Sequence, residues 1–165
     1  MTATEKETET PLQRRIAELN SLLDQGMREG VGVGSSLGIA VESLSNGRAV
    51  YLLDPSPATL NAMFTVHGGV LATLMDTAMG SAIYTCLGDG TYYTTLELKA
   101  NFIRPARVDG PRLTCVGQLT HLGRRTATAE ARITDPAGSL IALATCTCMI
   151  FAPEPPAVPA PDLPA

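Results

Sequence analysis

The chain has 165 residues, of which 45% are apolar and 17% charged, with a net charge of −4. That length suits one domain with a real core but is short for two, and the composition excludes disorder along the whole chain. The acidic balance argues against a nucleic-acid binder, which needs a dense cationic face.

The opening MTATEKETET is polar and acidic, without the apolar run of a signal peptide, so a cytoplasmic protein is expected. Residues 1–10 read as a flexible leader. Pro11 opens a helical pattern in which Leu12, Ile16, Leu19, Leu22, Leu23 and Met27 recur at helical spacing. Gly30, Gly32 and Gly34 break it. A dinucleotide loop would need a strand before such glycines and a helix after them, so a flexible turn into a strand is the better reading.

Two short strands follow, about 38–43 and 48–53, joined by Ser45-Asn46-Gly47, a strong hairpin signal. Residues 54–64, rich in Pro and Ser, read as loop. Residues 68–87 read as one helix, with Gly88 in the position of a C-terminal cap. The stretch 70–87 is apolar-biased, but it carries an Asp and several hydroxyls and is marginal in length for a membrane span.

The pattern then switches to period two. Leu96, Leu98, Ala100 and Phe102 fall on one face, and Thr95, Glu97, Lys99 and Asn101 on the other. Three more strands are expected at 112–121, 126–134 and 140–151, separated by turns at Asp109-Gly110, Gly123 and Asp135–Gly138. Consecutive strands joined by tight turns predict an antiparallel meander. The domain therefore runs over 11–152, and residues 153–165, PEPPAVPAPDLPA, read as a disordered proline-rich tail.

Val70, Leu71, Leu74, Met75, Ala78, Met79, Ala82 and Ile83 cover most of the helix circumference, as expected of a helix buried nearly all round. Only a curled sheet is large enough to bury it. The predicted class is α+β, a hotdog fold with one long helix wrapped by a curved antiparallel sheet and an additional N-terminal helix. One sheet cannot enclose the helix alone, so dimerisation is expected. The four cysteines have neither CxxC nor His at ligand spacing, so they read as buried free thiols and no metal site is expected.

Asp76 is the one carboxylate within that helix, and burying it is costly without a partner. A bland reading has it facing solvent or hydrogen-bonded to Thr73, Thr77 or the sheet. Upstream, His67-Gly68-Gly69 stands where the helix begins. Glycines there leave free N–H groups uncovered, at the positive end of the helix dipole, which suits a developing oxyanion.

Asn61-x5-His67-Gly68-Gly69-x6-Asp76 resembles the signature of the phenylacetate-pathway (PaaI-like) hotdog acyl-CoA thioesterases. TTLELKANFIRPA (94–106) and HLGRRTATAEARITDPAGSLIALATCT are similar to that family's later strands. The resemblance spans about residues 35–151. It implies that Asp76 acts as nucleophile or general base and that Gly68 offers its N–H to the thioester oxygen. It also implies that Asn61 positions the carbonyl or water and that His67 holds the loop. A hydroxyl in the next strand orients the water or the carboxylate. Thr95 is the choice for that role, with Thr94 one position away.

Gly68 and Asp76 are eight residues apart, about 12 Å along a helix, whereas attack needs contacts of roughly 3 Å. If both act, they come from different subunits, and two identical sites form in a dimer. A tetramer built as a dimer of dimers is the expected larger assembly. Met63 and Phe64 are expected at the acyl group, with Met79 and Ile83 as further apolar lining, and Gly69 is expected to bind the substrate. Arg104, Arg124 and Arg125, together with Arg107, are expected at the CoA phosphates. No cofactor is implied. The expected reaction is hydrolysis of an acyl- or aryl-acyl-CoA to acid and CoA, and the acyl group stays open. A non-catalytic acyl-CoA binding module is the main alternative. A hydratase would need a His acid/base with a loop carboxylate, a pattern that His67-Gly68-Gly69 lacks.

Overall fold

The protein is described by a computed structural model covering residues 9–151; most of the leader and the proline-rich tail lie outside the described residues. Helix α1 (Pro11–Glu29) begins with a reciprocal capping box. Thr10 Oγ1 accepts from Gln13 N–H at 3.2 Å, and Gln13 Oε1 accepts from Thr10 N–H at 2.7 Å. Arg15 fastens this helix to the rest. Its guanidinium is buried, lies 4.1 Å over the Tyr84 ring, and donates to the Tyr84 hydroxyl and the Thr91 carbonyl.

The glycines after α1 do not form a flexible turn. They punctuate a second short helix, α2 (Gly32–Leu37), because left-handed Gly30 ends α1 and left-handed Gly38 ends α2.

Six strands form one antiparallel sheet: β1 (Ile39–Ser45), β2 (Arg48–Leu53), β3 (Tyr92–Phe102), β4 (Leu113–Leu122), β5 (Thr126–Thr134) and β6 (Leu140–Phe151). Their order, β1-β2-β4-β5-β6-β3, corrects the plain meander. Only β4 to β6 run as one. β3 skips its neighbour in sequence and pairs with β6 at the far edge.

The apolar alternation in β3 also breaks once. Thr95 pairs with Cys148 and Glu97 with Thr147, so Leu96 is an extra, bulged residue and turns outward, 52% exposed. Tyr93 and Thr95 are therefore half-buried before the bulge, Leu98 and Ala100 after it. Phe102, placed with them on the inner face, is also largely exposed.

Helix α3 (Gly68–Tyr84) touches all six strands, which a sheet can achieve only by curling around it: the hotdog arrangement. It ends before Gly88. Thr85 closes it by donating its hydroxyl to Ala82 C=O at 2.8 Å and accepting from Gly47 N–H at 2.9 Å. Cys86 and Leu87 continue in tighter i→i−3 bonds, which carries the apolar spacing past the true helix end.

The helix lies close on the sheet because the sheet offers small side chains there. Ala127, Ala129, Ala131, Ala142 and Ala144 are all buried, and a Cβ on Gly117 would overlap the Ala78 carbonyl oxygen. Cys115, Cys146 and Cys148 are buried free thiols and Cys86 is half-buried and free; burial pushes the Cys115 thiol up to about 12.

Candidate active site

Asp76 stands on the strip of α3 that the sheet leaves open. Thr73 and Thr77 do not serve it, because their hydroxyls donate back along the helix to Gly69 C=O and Thr73 C=O, each at 2.9 Å. The partner is across the sheet. Thr95 Oγ1 donates to Asp76 Oδ1 at 2.9 Å. Thr94, the other choice for this hydroxyl, is exposed on the opposite face. Ala72, Thr73, Asp76, Thr95 and Leu98 line an open hollow of about 280 Å³.

Behind Thr95 lies a buried polar cluster that sequence reasoning missed. Thr95 Oγ1 is 3.8 Å from Cys148 Sγ, which is 3.9 Å from Cys146 Sγ. Tyr93 reaches the helix one turn beyond Asp76, where a Cβ on Gly80 would overlap its hydroxyl. Burial, then the nearby Cys148 and Asp76, push the Tyr93 phenol well above its usual range. The available signal was Gly80 itself, a glycine in the middle of an otherwise good helix.

The start of α3 is built differently. His67 is its N-cap, and its Nδ1 accepts from Gly69 N–H at 2.8 Å, which leaves the proton of a neutral ring on Nε2. Of the two glycine N–H groups expected to be free, Gly69's is thus occupied. Gly68 N–H has no hydrogen bond among the described residues. His67 N–H donates to Thr59 C=O at 2.8 Å, which ties the cap to the preceding loop.

Asn61 organises that loop from within. Its Oδ1 accepts from Met63 N–H at 2.9 Å and Thr65 N–H at 3.2 Å, and its amide donates to Thr65 Oγ1 at 2.9 Å. The clamp holds Phe64 at φ 59, a left-handed conformation rare for an aromatic residue, and leaves Met63 and Phe64 projecting at 80% and 75% exposure.

Gly68, Asn61 and Thr65 share a second cavity, of about 290 Å³, with Leu71, Phe102 and the 103–106 segment. Asp76 is not among its lining.

Met79 and Ile83 do not line an acyl site. Both are wholly buried against the sheet, since the helix turns that face inward. Arg104 borders the Gly68 cavity and donates to Leu140 C=O at 2.8 Å. Arg107 is paired with Asp109 at 3.0 Å. Arg124 and Arg125 are exposed at the β4–β5 turn.

These arginines do not gather within one chain. Phe102 is in register with Ala142 and Thr126 with Met149, so the two groups stand seven residues apart along β6, about 23 Å.

Residues 63–142 match the model of the Thioesterase superfamily. The acyl-coenzyme A thioesterase PaaI of Escherichia coli K12 is 30% identical over 117 residues, covering 71% of this chain and 81% of that protein. The chain belongs to the thioesterase superfamily. A 1,4-dihydroxy-2-naphthoyl-CoA hydrolase of Listeria monocytogenes is 25% identical over 73% of this chain and 96% of that protein.

Among solved structures, the Escherichia coli PaaI protein of the phenylacetic acid degradation operon superposes with a TM-score of 0.70. It is 25% identical and covers 83% of this chain and 96% of its own. A thioesterase from Haemophilus influenzae, at a TM-score of 0.72 and 23% identity over 83% of this chain and 90% of its own, shares the fold. The protein is an enzyme of this PaaI-like group, a thioester hydrolase with a hotdog fold. None of its described helices is long and apolar enough to cross a membrane.

Proposed function

We propose that this thioesterase hydrolyses an acyl-CoA to the free acid and CoA at a composite site. In that site Asp76 of one subunit faces Gly68 of another. The observation that carries the reading is the division of the chemistry within one chain. The carboxylate, oriented by Thr95, sits in one hollow, and the free N–H of Gly68 opens into a different cavity. They are eight residues and about 12 Å apart on a rigid helix, too far for a single thioester carbon.

Two antiparallel copies of α3 bring each half to its complement and give two identical sites. The same pairing brings Arg104 of one subunit toward the end of the sheet where Arg124 and Arg125 of the other stand. The CoA phosphates then have a cationic flank drawn from both chains. A dimer is the working unit, and a dimer of dimers is the larger assembly.

In the reaction, the thioester oxygen accepts from Gly68 N–H at the positive end of the α3 dipole. Asp76 either attacks the carbonyl carbon, forming a mixed anhydride that water then opens, or takes a proton from an attacking water. CoA leaves as the thiolate when the C–S bond breaks, and it becomes the thiol by taking a proton from the water that the reaction consumes. Thr95 fixes the carboxylate's aim in both routes. Asn61 and His67 support the donor by holding the loop and the first turn, and the exposed Met63 and Phe64 suit the acyl group.

The test is thiol release from a panel of acetyl-, octanoyl- and phenylacetyl-CoA by the wild type and Asp76→Asn. Asp76→Asn is expected to lose at least about a hundredfold in kcat with folding intact. Equal rates would remove Asp76 from the mechanism. A wild type that binds acyl-CoA and never turns it over would make the protein a binding module.

A further inference from the structure

A third cavity, apart from both halves of the site, bears on which acyl group the enzyme takes. It lies between α1, α2 and β1, measures about 340 Å³, and is walled by Leu23, Met27, Val33, Ile39 and Val41. That reaches the lower end of small-molecule pockets, roughly 300 Å³. Leu22, Met27, Val31 and Val33 remain 46–61% exposed around it. A pair of helices that only covered the sheet would have turned such residues inward.

The single residue that α3 contributes is Thr77, next in sequence to Asp76. Thr77 donates to Thr73 C=O, and Thr73 lines the Asp76 hollow. One helical turn, 73–77, is all that separates the two spaces along α3. The lining holds no cation, and its one charged residue is Asp24. Such a place repels the anionic end of a CoA ester and favours hydrocarbon.

We propose that this cavity receives the distal part of the substrate's acyl chain, which makes the enzyme selective for flexible, medium-length straight-chain acyl groups. This rests on Asp76 being the reacting carboxylate. A helical turn rises 5.4 Å, so the gain begins once the chain exceeds about four carbons. From there each buried methylene multiplies kcat/KM roughly fourfold, until the cavity is full.

The experiment uses the full-length protein with straight-chain acyl-CoAs from acetyl to dodecanoyl, and with their non-hydrolysable thioether analogues in calorimetry. Wild-type kcat/KM and thioether affinity are expected to climb from butanoyl to about octanoyl. Val41→Phe, which fills the cavity, should flatten both curves, lowering octanoyl at least tenfold and leaving acetyl within twofold. Met27→Ala, which enlarges it, should move the optimum to longer chains and also guards against a Val41→Phe protein that fails to fold.

A wild type indifferent to chain length, or a Val41→Phe defect equal for acetyl and octanoyl, overturns the proposal. It is also overturned if deleting residues 153–165, without any change to the cavity walls, reshapes the chain-length curve. That result would make the cavity the seat of the chain's own end. A wild type without turnover, whose thioether affinity still climbs with length and is flattened by Val41→Phe, would instead end the hydrolase reading and keep the pocket.

Discussion

The first turn of α3 and its middle turn hold the two polar groups of the site in opposite ways. At Gly68 the working atom is a backbone N–H, and everything around it is local: His67 caps the next amide, and Asn61 closes the loop just before. At Asp76 the working atom belongs to a side chain, and its support comes from Thr95, nineteen residues away on an edge strand. A donor made of backbone is secured by short-range bonds that the local sequence dictates. A carboxylate on a buried helix needs a long-range partner, and so depends on strand register.

That contrast can be broken at each end. Gly68 is the first helical residue and His67 before it is extended, at φ −61 and ψ 135, so proline fits there and deletes only the N–H. Gly68→Pro is expected to cost about 10²–10³ in kcat, as for other lost oxyanion donors, with the circular dichroism unchanged. The half-exposed Phe102 ring, 3.2 Å from where a Cβ would stand, has room to give. Mixing Gly68→Pro with Asp76→Asn subunits should restore about a quarter of wild-type activity, because half of the dimers carry one intact site. No recovery after verified subunit exchange would mean that the two groups do not share a site across chains.

The packing beneath comes next in size. Gly117→Ala places a Cβ against the Ala78 carbonyl, and thermal or urea unfolding should show a loss of about 1–3 kcal/mol. Gly34→Ala meets only ordinary contact, 3.6 Å from the Ile39 carbonyl oxygen, and should not destabilise. The smallest effect tests the register. Thr95→Val removes a hydrogen bond to a charged group, and kcat should fall about tenfold. Thr94→Val, one residue away on the outer face, should be silent.

How much of this was legible in the sequence follows the same division. The hairpin at Asn46-Gly47, strand β2 and the start of α3 are set by nearby residues, and the spacing located them. The bulge at Leu96 was hidden because an extra residue leaves the composition of a strand unchanged while reversing its faces. The placement of β3 beside β6 was hidden because strand order is decided by packing on the helix, not by turn chemistry. The end of α3 was misread because the apolar spacing outlasts the helix, whose stop is a Thr85 hydroxyl bonded to a distant turn.

At the site, the Asn61–Gly68 loop was readable as a motif. The role of Asn61's amide within that loop was not, nor was the fit of Tyr93 against Gly80, since both are three-dimensional contacts.

The absence of a side chain at Gly117 has a consequence for assembly. It seats the backbone of α3 directly on β4, closer than any side chain at that position would allow. In an antiparallel pair each rod presents its start to the other's middle. A slip of one rod by a single residue, about 1.5 Å, therefore displaces both sites by the same amount and in the same sense, because the antiparallel pair keeps its two-fold symmetry. If both rods slipped toward their own starts, the error would double. Tolerances at the reacting atoms are then set by how firmly each subunit seats its own helix before the two ever meet.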